Sequence, residues 1–265
     1  MKPRLTEPRN LTRNGRTWLT YPELDLGNLV HGIVVFKETS LGQGYDQWAK
    51  AASIFVVEHA PQARPVLPTR RPAAIRQVVI PRQVHGADIK TIRAADSDHI
   101  TGNLTCDGLV TDRPGLALAV SVADCIPLFA AGPAGVVGMA HCGWRGTAGG
   151  IVEEFVRSLE AIDAKSGEIT FVVGAGIGRC CYEVRGDLLR EFPQDQAVRF
   201  SERRGASTFF DLKQVIAARL IALGVPPAKI SIDKTCTACQ KYSLSSFRRD
   251  GAKCGRMLAF LALAG

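Results

Sequence analysis

A chain of 265 residues, 46% hydrophobic and 22% charged, is long enough to bury a sizeable core without disulfide staples. Much of its formal charge of +8 comes from Lys2, Arg4, Arg9, Arg13 and Arg16 and from Arg64, Arg70, Arg71 and Arg76, with no interleaved aromatics, so solvated basic segments are expected and a nucleic-acid partner is not. No apolar stretch reaches the length of a membrane span and none follows the basic N-terminus, which predicts a cytoplasmic protein without membrane attachment.

Residues 1–20 read as a poorly structured basic segment, and residues 21–265 as one domain, since no repeat or linker divides them. Trp18 to Tyr21 and Leu29 to Phe36 have the composition of early strands separated by a turn. His31, beside a glycine in the second of these, is expected to be a satisfied structural residue. The run YDQWAKAASIFVVEHA puts Trp48, Ala51, Ala52, Phe55 and Val56 on one helical face and ends before Pro61. Pro61 to Ala74 is proline-rich and reads as an exposed connection. Gln77 to Val84 is a strand that delivers His85 next to a glycine, and Ile89 to Ile92 forms another short strand. A polar loop, Asp96 to Asn103, leads to Asp107-Gly108, a turn signature in which Asp107 serves as the cap.

The chemistry is expected between Asp107 and Gly150. Leu116 to Cys125 and Val136 to Trp144 are short and rich in Val and Ala, so they read as buried strands ending in a cysteine and a histidine. A Gly-rich link follows, then a helix over 150–162 in which Ile151, Val152, Phe155, Val156, Leu159 and Ile162 recur at helical spacing. His141, Trp144 and Arg145 therefore precede a helix N-terminus, whose free N–H groups and dipole suit an anion. Farther on, Gly174, Gly176 and Gly178 fall short of a dinucleotide fingerprint, because the last required glycine is missing and no suitably placed acidic residue follows. Tyr182 to Phe192 and Leu212 to Leu223 read as helices, and the tail closes with a basic loop and an apolar strand.

Eight cysteines in a chain of this size are expected to be reduced thiols. Cys236 and Cys239 form a CxxC, yet no second CxxC accompanies it, so ordinary surface thiols are the expected reading. His85, Cys125 and His141 differ because each sits at a strand end. Two imidazoles and one thiolate leave an open position on a tetrahedral zinc ion. The same atoms also suit a cysteine nucleophile with a histidine base, or plain packing, and spacing alone separates none of these.

The blocks RQVHGADI, CDGLVTDRPGLALAVSVADCIPLF, AHCGWRGTAGGIV, GAGIGRCCYEV and SSFRRDGAKCGRM, in that order, resemble those of the YfiH-like family, also called laccase-domain or polyphenol-oxidase proteins and regarded as purine nucleoside phosphorylases. The resemblance spans residues 20–262. It implies a single α+β domain of mixed β-sheets sandwiched between helix layers, like the catalytic domain of cytotoxic necrotising factor. It implies zinc held by His85, Cys125 and His141, and phosphorolysis of adenosine, inosine and methylthioadenosine to base and ribose 1-phosphate, with adenosine deamination at the same site. Purine nucleoside and phosphate are then the partners. Arg145, Arg248 and Arg249 become the phosphate-binding residues, Arg145 foremost, because guanidinium groups grip phosphate bidentately. Asp124 is the nearest carboxylate for acid/base work, though a structural hydrogen-bonding role is favoured for it. Two alternatives come with the family: copper-dependent phenol oxidation, against which five histidines argue, and a binding or editing role in peptidoglycan quality control. The chain departs from the family pattern at HGIVVFKETS, where Lys37 stands near an expected arginine, at CTACQ, and at Phe247.

Overall fold

The computed structural model describes residues 2–13, 16–25, 29–36, 52–54, 56–57, 75–93, 104–133, 135–240 and 244–263. Lys37, the 61–74 connection and the 96–103 loop lie outside them, as does most of the predicted early helix, of which 52–54 and 56–57 are helical. Among the described residues sixteen strands form three sheets. The largest runs in the order β1 (Arg4–Thr6), β15 (Ile230–Asp233), β11 (Thr170–Val173), β9 (Ile126–Ala131), β10 (Val137–Cys142), β7 (Gly108–Thr111) and β6 (Ile89–Ile92). The second has the order β2 (Arg9–Arg13), β3 (Arg16–Thr20), β4 (Leu29–Phe36), β16 (Arg256–Leu263), β8 (Leu116–Val122) and β5 (Gln77–Val79). A small third sheet joins β12 (Glu183–Val184), β14 (Ser207–Phe210) and β13 (Ser201–Arg204).

Strand alternation explains how the two large sheets share a core. Leu118 and Val120 of β8, with Met257 and Leu261 of β16, point to one side and meet Phe129, Met139 and Val172 of the other sheet. Their neighbours Ala117, Ala119, Leu258 and Phe260 point the other way, onto Trp18 and onto Ala52 and Val56 of the early helix. On the far side of the seven-stranded sheet, Leu128, Ala140, Phe171 and Val173 pack against Val152, Phe155 and Leu159 of the helix Ile151–Glu160 and Val215, Ile216 and Leu220 of the helix Leu212–Ala222. The result is the expected mixed α+β sandwich with helices on its outer faces. Each fully buried side chain of this size stabilises the fold by roughly 1.5–3 kcal/mol. Among the described residues no helix is long and apolar enough to cross a membrane.

Three expectations need correction. The first twenty residues are not poorly structured: β1 pairs in parallel with β15, and β2 and β3 form a meander onto β4. Burial explains this order, because Tyr21, at the end of β3, is fully buried and its hydroxyl donates to Asp233 (2.8 Å) while accepting from the Ala175 N–H (2.9 Å). The predicted helix over 182–192 is instead β12 followed by a one-turn helix, Gly186–Arg190, since Phe210 N–H bonds to the Tyr182 carbonyl and draws that stretch into the small sheet. Finally, the strand predicted to run to Cys125 ends at Val122, and a further central strand, β9, begins at Ile126.

Candidate metal centre and active-site cleft

Cys125 lies in the tight turn between β8 and β9, where Asp124 takes a left-handed backbone (φ 84°). His141 lies near the end of β10, opposite Pro127 of β9, so the register of one antiparallel pair brings the two side chains together. His85 arrives on the loop after β5, also with a left-handed backbone (φ 60°). A non-glycine residue there is strained by about 1–3 kcal/mol and needs a clamp. Asp107 supplies it: its carboxylate accepts from the N–H groups of Val84 (3.1 Å), His85 (2.9 Å) and Gly86 (2.8 Å). The same carboxylate meets Nδ1 of His141 at 2.9 Å, which turns the other ring nitrogen to the cluster. Asp107 is completely buried and is no turn cap, although Asp107-Gly108 reads as one in sequence.

Donor atoms of His85, Cys125 and His141 all lie within 4.8 Å of one another. The two imidazole rings stand edge to face at 4.8 Å between centroids. The GWRG glycines sit where a side chain has little room, Gly146 most of all. A Cβ on Gly143 would sit 3.2 Å from the Cys125 sulfur and 3.3 Å from the His85 ring, and one on Gly146 would meet the Gly86 carbonyl at 2.4 Å. Burial pushes the Cys125 thiol up, but the His141 and His85 side chains outweigh it and bring its pKa down to about 6. Burial pushes His141 down, and the Asp107 and Cys125 partners reverse this and raise it to about 9. Asp107 is itself held below the usual carboxylate range, since the His141 bond and the Gly86 and Val84 N–H groups overcome its desolvation. A thiolate and two oriented imidazoles are a fitting donor set for a borderline or soft divalent ion. Residues 62–264 of the chain, which include this cluster, match the family model described as multi-copper polyphenol oxidoreductase laccase.

The chain belongs to this laccase family. Among similar proteins, a purine nucleoside phosphorylase, YlmD, of Geobacillus stearothermophilus is 39% identical over 190 residues, covering 68% of this chain and 69% of its own. Adenosine deaminase RL5, from an unknown prokaryotic organism, is 31% identical over 252 residues, covering 88% of this chain and 95% of its own. The crystal structure of YlmD from Geobacillus stearothermophilus superposes with a TM-score of 0.75 at 28% identity, covering 96% of this chain and 98% of that one. Like these relatives, this laccase-family chain is an enzyme.

The cluster forms the floor of a cleft of about 520 Å³ that also exposes Arg145, Tyr182, Phe247, Arg248 and Arg256. Arg145 lies over the Trp144 ring at 4.4 Å. Arg248 lies 5.4 Å from the Tyr182 ring and donates to the carbonyls of Glu183 (2.9 Å) and Cys181 (3.3 Å). Arg249, in contrast, does not line the cleft: its guanidinium donates to the carbonyls of Thr237 (2.9 Å) and Leu244 (2.8 Å) and to Asp250 (2.6 Å). It is withdrawn from the phosphate-binding set because its donors are already used. The helix-terminus expectation changes too. A separate one-turn helix, Trp144–Ala148, follows His141, and the start of the longer helix, with Glu153 and Glu154 in its first turn, is not part of the cleft. Asp124 borders the cleft, yet its two oxygens accept from the Thr237 hydroxyl (2.5 Å) and the Arg248 N–H (2.6 Å). Sequence reading missed Asp107, Tyr182 and Arg256 as site residues; the CDG and CCYEV blocks were the only signals for the first two.

Proposed function

We propose that this laccase-family enzyme is a zinc-dependent purine nucleoside phosphorylase acting on adenosine, inosine and methylthioadenosine, with adenosine deaminase activity in the same cleft. The observation that carries this reading is the convergence of His85, Cys125 and His141 on the floor of a cleft that also presents Arg145 and Arg248 and the rings of Tyr182 and Phe247. The names of the two relatives support both activities. Zinc is favoured over copper because a multicopper site needs far more than the five histidines of this chain, and one of them, His31, is committed elsewhere as the acceptor of the Tyr21 N–H. The eight free cysteines fit a cytoplasmic setting.

His85, Cys125 and His141 would hold the ion, which when bound supplies Lewis-acid activation of an oxygen at the cleft floor. Asp107 keeps His141 in one tautomer and orientation. Arg145, seated over the Trp144 ring, offers its fork of N–H donors to phosphate. Tyr182, most of whose surface is buried, and Phe247, 55% exposed, give apolar ring faces against which a purine can lie. Asp124 acts through others: by fixing the Arg248 backbone and Thr237 it positions the Arg248 wall of the cleft. Purified enzyme is incubated with adenosine with and without phosphate and the products are separated by chromatography. Adenine and ribose 1-phosphate are expected only with phosphate, and inosine in both cases. No nucleoside turnover by zinc-loaded protein, together with phenol oxidation by copper-loaded protein, would reverse the assignment.

A further inference from the structure

A second sulfur cluster lies outside the catalytic floor. Strands β11 and β15 are parallel neighbours, so the loops that leave their C-terminal ends emerge side by side. One loop carries Cys180 and Cys181, the other Cys236 and Cys239. Their four sulfurs all lie within 4.8 Å of one another, with Cys239 at 3.5 Å from Cys180 and 3.4 Å from Cys181. Four thiolates at about 2.3 Å from a tetrahedral zinc ion stand about 3.8 Å apart, which is the spacing these sulfurs already approach. The sequence conceals this because only one half of the set is a CxxC, the other being an adjacent pair.

We propose that Cys180, Cys181, Cys236 and Cys239 form a structural four-thiolate zinc site that staples the two loops at the rim of the cleft. The backbone is arranged for it. The loops are bridged between Gly176 and Cys236, the Thr237 N–H donates to the Gly176 carbonyl (3.1 Å), and the Gly178 N–H donates to the Cys236 sulfur (3.2 Å). Against its burial, the Gly178 N–H helps hold Cys236 below the usual thiol range, whereas burial raises Cys180 and Cys181 to about 11 and the Cys181 contact raises Cys239 to about 11, so an ion binding here displaces protons from those three thiols. Four protein ligands leave no open position, so the site is closed to substrate and its contribution is to folding. Its reach into the cleft is short: Cys181 precedes Tyr182, and Thr237, next to Cys236, holds Asp124. The site does not depend on which reaction the cleft performs.

The test separates this site from the cleft floor by working in Cys125→Ser. That variant, reconstituted anaerobically with cobalt(II) in place of zinc, should bind one equivalent with intense sulfur-to-metal charge transfer and the visible bands of a tetrahedral ion. Adding Cys236→Ser and Cys239→Ser should abolish those bands. In zinc-loaded wild type, iodoacetamide followed by peptide mass mapping should find all four rim cysteines protected, with protection lost on chelation together with a fall in melting temperature. The wild-type mapping decides the matter even if the substituted chains fail to fold. Rim cysteines alkylated equally with and without zinc, no cobalt bound by folded Cys125→Ser, or a Cys236–Cys239 disulfide in protein kept under zinc and thiol would each overturn the proposal.

Discussion

On the cleft floor two imidazoles and one thiol converge in front of a buried carboxylate, whereas on the rim four thiols converge against backbone N–H groups. Both clusters join distant parts of the chain: the pairing of β9 with β10 brings Cys125 to His141 while His85 arrives from the loop after β5, and the pairing of β11 with β15 sets the two rim loops side by side. They differ in how many ligands they offer and in what stands behind those ligands. Three donors, with Asp107 orienting the His141 ring, would leave one position of a tetrahedral ion facing the cleft. Four sulfurs would complete a tetrahedron and leave nothing for a substrate. The presence of sulfur therefore says little about reactivity, and the count and backing of the ligands say much.

The sharpest way to break the comparison is to remove a ligand from each side. Cys125→Ala should lose the zinc of the cleft floor and reduce both nucleoside activities to background while circular dichroism still shows a folded chain, because the residue sits in a turn beyond the core strands. Full zinc retention at the floor by elemental analysis, after rim zinc is discounted with Cys236→Ser, would refute the ligand assignment. The backing carboxylate should matter next. Asp107→Asn keeps the size of the side chain but weakens the hold on His141 and on the Val84 to Gly86 loop, and zinc affinity or activity should fall by roughly 10- to 100-fold. Zinc titration with a competing chelator measures this directly, and an unchanged affinity would make Asp107 a folding residue only.

Arg145→Ala sharpens the contrast between the two reactions proposed for the cleft. A charge-assisted hydrogen bond to phosphate contributes about 1.5 kcal/mol when shielded, and solvent screening at the exposed Arg145 lowers this, so the phosphate KM should rise by up to about tenfold. Deamination, which uses no phosphate, should change little. Arg249→Ala is the control: its guanidinium ties the Thr237 to Leu244 loop together, so melting temperature should drop with the phosphate KM unchanged.

What sequence reveals of this molecule follows the range of the interactions involved. Short apolar runs bounded by turn residues, such as β4 and β16, and the amphipathic helix Ile151–Glu160 are legible because their pattern is local. His85, Cys125 and His141 stand out as reactive residues at strand ends, and the family resemblance unites them. The N-terminal strands are hidden because their ordering comes from a distant partner, with Tyr21 reaching Asp233 and Ala175. Asp107 is misread for a similar reason: Asp-Gly is a sound local turn signal, and only the fold brings the Val84 to Gly86 N–H groups and His141 around the carboxylate. Likewise, Cys180 and Cys181 meet Cys236 and Cys239 only through the parallel pairing of β11 with β15.

His31, which like His141 is buried, allows a test that should leave the cleft untouched at neutral pH. His31 in β4 accepts the Tyr21 N–H through Nε2 at 2.9 Å, and its Nδ1 has no hydrogen-bond partner among the described residues. Burial lowers its pKa to about 4; the carboxylates of Asp25 and Glu23 and the Tyr21 hydrogen bond pull upward, Arg9 pulls downward, and desolvation wins. The folded pKa thus lies below the unfolded value of about 6.5. Between those two values the unfolded chain binds more protons, so the stability provided by neutral His31 is fully present above pH ~6.5 and is lost at up to about 1.4 kcal/mol per pH unit as the pH falls toward 4. His31→Gln keeps an acceptor for the Tyr21 N–H but does not titrate. Urea unfolding at pH 7.5 and at pH 5 should show a smaller acid-induced loss in this variant than in the wild type, with zinc content and activity at pH 7.5 unchanged. An identical loss in both chains would mean that His31 is not protonated on unfolding in this range, and a loss of zinc at pH 7.5 would connect His31 to the metal floor.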